Sequence, residues 1–124
     1  VTDDLAEALP LDKLNALRLG RLLVAEVETS RPGCRAWVEI RPILTEADAA
    51  ARREGWTRSD AGRAFRLVHR EFVTEYLDGW DYDVGSSEIK QALAQDEARL
   101  VARLQAWGVS PEHLAYPWNT DYPA

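Results

Sequence analysis

The densest set of candidate ligands in the chain is acidic: Asp78, Asp81 and Asp83, with Glu88 close behind. Carboxylate oxygens suit hard cations, and Asp81-Tyr82-Asp83 followed by Gly85 has the start of a calcium loop. An EF-hand would need a ligand at the fifth position and Glu at the twelfth, and here those positions hold Gly85 and Ala92. A solvated loop whose acids cap a helix beginning near Ser87 explains the same residues without a metal. A small metal-dependent enzyme built on these aspartates and His69 stays open as an alternative.

The two histidines, His69 and His113, are far apart in sequence and fit neither a metal-ligand spacing nor a nucleophile–base pattern. Cys34 is the single cysteine, so an internal disulfide is excluded. No phosphate loop, dinucleotide fingerprint or nucleophile elbow occurs. These residues lead to an expectation of no cofactor and no catalytic set. What remains is charge and aromatic surface. Arg63, Arg66 and Arg70 make one stripe, Glu71, Glu75 and Asp78 another, and Trp80 sits beside Asp81 and Asp83. Such stripes are commonly a solvated face with internal ion pairs. Read functionally, Arg63, Arg66, Arg70, Trp80, Asp81, Asp83 and Trp118 are candidates for docking another polypeptide.

The elements that must position them follow from periodicity and breakers. Residues 3–18 read as helix, capped by Asp3 or Asp4 and broken near Pro10. Ala25 and Val27 alternate with Glu26 and Glu28, and Ala36, Val38 and Ile40 alternate with Trp37, Glu39 and Arg41. With Ser30-Arg31-Pro32-Gly33 between them, the two runs predict a β-hairpin ended by Pro42. Thr45-Glu46-Ala47-Asp48 predicts a capped helix stopping at Gly55. Phe65, Val68, Phe72 and Tyr76 predict a longer, central helix over 59–78. Ile89, Leu93, Leu100, Leu104 and Trp107 predict another, from Ser86 or Ser87 to Trp107, with Gly108 as its C-terminal glycine. Ser110-Pro111 starts one short turn. The expected fold is therefore α+β and mostly helical, an N-terminal β-hairpin packed on a bundle of three or four helices.

With 124 residues and an apolar content near half, one domain spanning 1–124 is expected. Trp37, Trp56, Trp80 and Trp107 lie near element ends, where large rings seal a small core. Residues 116–124 form an extended aromatic tail, in which Trp118 is expected to pack back against the helix ending at Trp107. The net charge is −6, but unevenly spread: the acids outnumber the bases before residue 31 and after residue 70, and the bases dominate between. An acidic C-terminal half disfavours nucleic acid and anionic membrane. No apolar run is long enough for a membrane helix, and Val1-Thr2-Asp3-Asp4 is unlike a secretory signal, so the cytoplasm is the expected compartment. Self-association is left open.

The run Trp37-Val38-Glu39-Ile40-Arg41-Pro42, followed by Leu44-Thr45-Glu46-Ala47-Asp48 and later Asp78-Gly79-Trp80-Asp81-Tyr82-Asp83, resembles small tail assembly chaperones of long-tailed phages and prophages. In that pattern a strand ending in an acidic-apolar-Arg step leads into a capped helix. A long helix then closes near a Trp followed by an aromatic and an acid. The resemblance implies a small, acidic, helical, non-enzymatic protein that holds a tape measure protein. The acidity alone suits a second class, an immunity or antitoxin-type inhibitor that masks a basic toxin surface.

Overall fold

The computed structural model describes residues 9–29, 32–73, 86–120 and 122. Helix α1 (Leu11–Arg18) precedes strands β1 (Leu23–Val27) and β2 (Cys34–Pro42). Helix α2 (Glu46–Arg53), strands β3 (Phe65–Val73) and β4 (Ser86–Ala94), and helix α3 (Glu97–Ala106) follow, and then 3-10 turns over Pro111–His113 and Pro117–Asn119. The strands form one antiparallel sheet in the order β1-β2-β3-β4, each beside its neighbour in sequence.

The expected hairpin is present as β1 and β2, with Val38 facing Ala25 across the register. Gly33 takes φ +74 in the turn between them, while Ser30 and Arg31 lie outside the described residues. Helix α1 begins directly after Pro10; the capping expected at Asp3 or Asp4 also lies outside them. Thr45 is the N-cap of helix α2, and its backbone N–H and hydroxyl both donate to the Asp48 carboxylate, at 2.7 and 3.1 Å. The Asp48 carboxylate thereby reaches back to a backbone donor at the helix start that would otherwise lack an intrahelical partner.

Two expected helices are corrected. The stretch 59–78 is not a central helix: residues 65–73 are strand β3, and residues 74–78 lie outside the described residues. The helix expected from Ser86 or Ser87 to Trp107 is strand β4, a break at Gln95 and Asp96, and then α3, whose N-cap Asp96 accepts the Arg99 N–H at 2.8 Å. Among the described residues the fold is thus a four-stranded antiparallel sheet with short helices, not the expected mostly helical bundle.

Alternation along the strands divides the core between the two faces of the sheet. On one face Leu23, Ala25, Val38, Ile40, Phe65, Leu67 and Ala94 pack against Leu14 and Leu17 of α1 and Leu100 and Leu104 of α3. On the other, Val24, Trp37 and Phe72 pack with Tyr122 from the C-terminal tail. Trp37, Phe72 and Tyr122 meet edge to face, with ring centres 5.6 to 6.1 Å apart. Of the other tryptophans expected to seal the core, Trp107 is half-buried, Trp56 is exposed and Trp80 lies outside the described residues.

Charged groups tie the layers together. Arg18, at the C-terminal end of α1, grips Glu97 in the first turn of α3 through bonds of 2.6 and 2.9 Å. Each charge also complements its own helix dipole. Arg63 is fully enclosed: it donates to both Asp48 oxygens at 2.8 Å and to the carbonyls of Arg18, Ile43 and Arg58. No helix among the described residues is long and apolar enough to cross a membrane.

Candidate functional site

A cleft of about 560 Å³ opens on the helix-bearing face, beyond the end of α3. Its floor comes from the cross-strand row Val38, His69 and Lys90, and its wall from Trp107, Val109, Ser110 and His113. Alternation sets this geometry: His69 points to the same face as Phe65 and Leu67, and α3 has already covered those two. The cleft therefore joins both histidines, which the sequence separates widely. His69 belongs to a strand, not to the helix expected there.

Behind His69 lies Glu71, fully buried, with its Oε2 atom 3.5 Å from His69 Nε2. Nε2 itself is buried and makes no hydrogen bond within the described structure. Lys90 Nζ sits 4.6 Å from the Trp107 ring centre, a cation–π contact along the wall. Glu26 and Glu28 form the acidic rim, and Glu26 is held by Arg35 through two bonds of 2.8 Å. The cleft thus offers an ammonium, two imidazoles, carboxylates and an aromatic wall, which suits binding of a mixed-charge ligand. No group of three or more His, Cys, Asp or Glu side chains converges as metal ligands among the described residues.

The candidates from the sequence do not converge. Arg63 is a buried internal tie and presents nothing to a partner. Arg66 and Arg70 lie on the sheet face opposite the cleft; Arg66 is exposed, and Arg70 leans toward the buried Glu39 at 3.4 Å. Trp80, Asp81 and Asp83 lie outside the described residues.

Trp118 is found exposed, not packed against α3: it is 70% exposed. The tail instead crosses the edge of β1, where Ala115 and Val24 exchange backbone bonds of 3.0 and 2.8 Å. A 3-10 turn over Pro117–Asn119 then lays the Trp118 ring flat on Tyr116, 4.9 Å away and 7° from parallel. Tyr116 is itself half-buried against the main core, with Lys13 Nζ 4.2 Å from its ring centre. Tyr122 is the tail residue that docks. Its hydroxyl donates to Glu39, which also accepts from Arg41 at 2.8 Å.

Sequence reasoning missed the His69–Glu71 pair, the Lys90–Trp107 contact and the Tyr122–Glu39 latch. A strand reading of 65–73 would have shown the first, because alternation puts His69 and Glu71 on one face. The other two depend on contacts between elements that no local pattern encodes. No family model matches this chain, and neither does any curated protein or solved structure.

Proposed function

We propose that this chain is a non-enzymatic domain that holds another polypeptide, with a phage tail tape measure protein as the first partner class. The observation that carries the binding reading is Trp118. A ring 70% exposed, yet stacked on Tyr116 and delivered by a proline-started turn, is a pre-organised anchor. Tryptophan is enriched among residues that dominate binding energy, and holding it in place beforehand lowers the entropy lost on association.

The partner class rests on the resemblance over residues 37–83. Strand β2 runs through Glu39-Ile40-Arg41 into the Thr45-capped helix α2, as in that pattern. The long helix that the pattern places next is strand β3 here. The test is co-purification of the full chain with the tape measure protein encoded in the same genome, native against Trp118→Ala. Retention by the native chain and loss by the variant, with the variant still folded by circular dichroism, supports the proposal. If the native chain retains nothing, the partner class falls; if both chains retain the protein equally, Trp118 is not the anchor.

A further inference from the structure

The sheet face opposite α1 and α3 gathers arginines from two neighbouring strands. Glu39 and Arg41 of β2 point to that face, as do Arg66, Val68 and Arg70 of β3. Arg41 stands directly across from Arg66, and Glu39 directly across from Val68. Like charges placed opposite one another on a sheet repel, so the Arg41–Arg66 pair costs stability unless an anion lies between them.

Glu39 is fully buried and grips two of these arginines at their base. Its Oε1 atom accepts from Arg41 Nε at 2.8 Å, its Oε2 atom lies 3.4 Å from Arg70 Nε, and the Tyr122 hydroxyl donates to the same Oε2. Both guanidinium ions are thus oriented through Nε, and no carboxylate among the described residues accepts a hydrogen bond from their terminal amino groups. The Arg41 side chain is 48% exposed; Arg66 is exposed as well and meets no carboxylate among the described residues. Three guanidinium ions against one carboxylate leave two positive charges in surplus, in a chain whose net charge is −6. Leu93, across from Arg66 on the same face, adds an apolar side chain that is 61% exposed.

We infer that Arg41, Arg66 and Arg70 form a recognition site for a single phosphorylated side chain on a partner polypeptide. Arg41 and Arg66 close on the phosphate from neighbouring strands, and Arg70, drawn toward Glu39, supplies the third guanidinium. Leu93 takes an apolar neighbour of the modified residue. A dianion matches the surplus of two charges, its oxygens accept from planar guanidinium forks, and it removes the repulsion across the Arg41–Arg66 pair. Glu39 and Tyr122 are positioning residues: they aim the arginines and touch no ligand. Arg66, Gln91 and Leu93 are all exposed, so the patch is open and has no walls to enclose a small phosphate ester. A polynucleotide fits poorly, because each further phosphate meets the net negative charge of the whole chain. This inference rests on the polypeptide-binding reading, but uses residues other than Trp118.

The experiment is an NMR titration of the full chain with a short peptide in which one phosphoserine is flanked by Val, and with its Ser and Glu counterparts. The phosphoserine peptide should move the amides of Arg41, Arg66, Arg70 and Leu93 and the Nε–H signals of the three arginines. The Ser peptide should move none of them, and the Glu peptide should bind about 10-fold or more weakly. Arg66→Gln removes an exposed side chain that holds nothing in the fold. With the variant still folded by circular dichroism, it should weaken the phosphoserine peptide by about 10-fold or more. Unmoved signals at roughly millimolar peptide, a Ser or Glu peptide that binds equally, or unchanged affinity in Arg66→Gln overturns the site. Inorganic phosphate that binds as tightly as the peptide, or an oligothymidine that shifts the same amides, overturns the polypeptide source. The same titration on Trp118→Ala keeps the two proposals separable: peptide binding there is unchanged, so losing the phosphate site leaves the anchor standing, and the reverse.

Discussion

Both oxygens of Asp48 accept hydrogen bonds of 2.8 Å from Arg63, a side chain with no exposed surface. The pair joins helix α2 to the segment leading into β3, and Arg63 reaches on to the carbonyls of Arg18 and Ile43. Removing one member of a buried pair leaves the other charge without compensation. Arg63→Met is therefore expected to cost about 3–5 kcal/mol, read as a lower urea midpoint with an unchanged slope. A loss below about 0.5 kcal/mol would show that the tie is dispensable.

The same pair sets an acid limit. The Arg63 guanidinium, helped by the Thr45 N–H and hydroxyl against the opposing effect of burial, holds the Asp48 carboxyl well below its usual range. A carboxyl depressed in the folded state adds stability that is complete above its unfolded value and drains away as pH falls toward the folded one. Melting temperature should therefore drop as pH is lowered from about 4. Asp48→Asn should start lower and lose less over that window. Parallel acid profiles for the two proteins would contradict the assignment.

Tyr122 sets an alkaline limit of opposite sign. Burial, then the hydrogen bond to Glu39 and the charge of that carboxylate, raise the phenol above its ordinary value of 10.0. An acid whose folded value is raised adds stability that is complete below the unfolded value and is lost as pH rises above it. Stability should fall above about pH 10, and Tyr122→Phe should remove that slope. At neutral pH the same change should cost about 1.5–3 kcal/mol, because it removes a hydrogen bond to a charged group.

Two aromatic tail residues separate packing from docking. Tyr122→Ala empties a place beside Trp37 and Phe72 and should cost about 3 kcal/mol or more. Trp118→Ala removes an exposed ring and should cost no more than its stack on Tyr116, about 0.5–1.5 kcal/mol. Truncation after Ala115 should resemble the first change in a thermal melt, not the second. The opposite order would mean that the tail is held by Trp118.

Gly20 takes φ +85, and a Cβ there would come within 2.7 Å of the Leu44 side chain. Gly20→Ala should cost at least about 1–2 kcal/mol in backbone strain alone. The half-exposed Leu44 can move to relieve the contact, but the backbone angle cannot. A neutral substitution in chemical denaturation would place this turn in another conformation.

The hairpin, the Thr45-capped helix and the glycine after α3 were legible because each is specified locally. Strand β3 was not, and the reason is its central position. Phe65 and Leu67 face one core, and Val68 and Phe72 face the other, so both phases of the alternation are apolar. Phe65, Val68 and Phe72 then fall by chance at helical spacing. Strand β4 misled in the opposite way. Ile89 and Leu93 extend the helical spacing of Leu100 and Leu104, yet both are substantially exposed on an edge and belong to no core face. Trp118 followed the same logic: its apolar ring implied burial, but Tyr122 is the residue that reaches the sheet.

The tail that occupies β1 also fixes a valence. A sheet open on both sides can receive a strand at one edge and offer the other, and such an arrangement propagates into a filament. Here Ala115 of the same chain already pairs with Val24, so a strand arriving from another molecule finds that position on β1 filled. Loss of the tail past Leu114 would uncover the backbone groups of Val24 and turn a guarded edge into one that another chain can pair with.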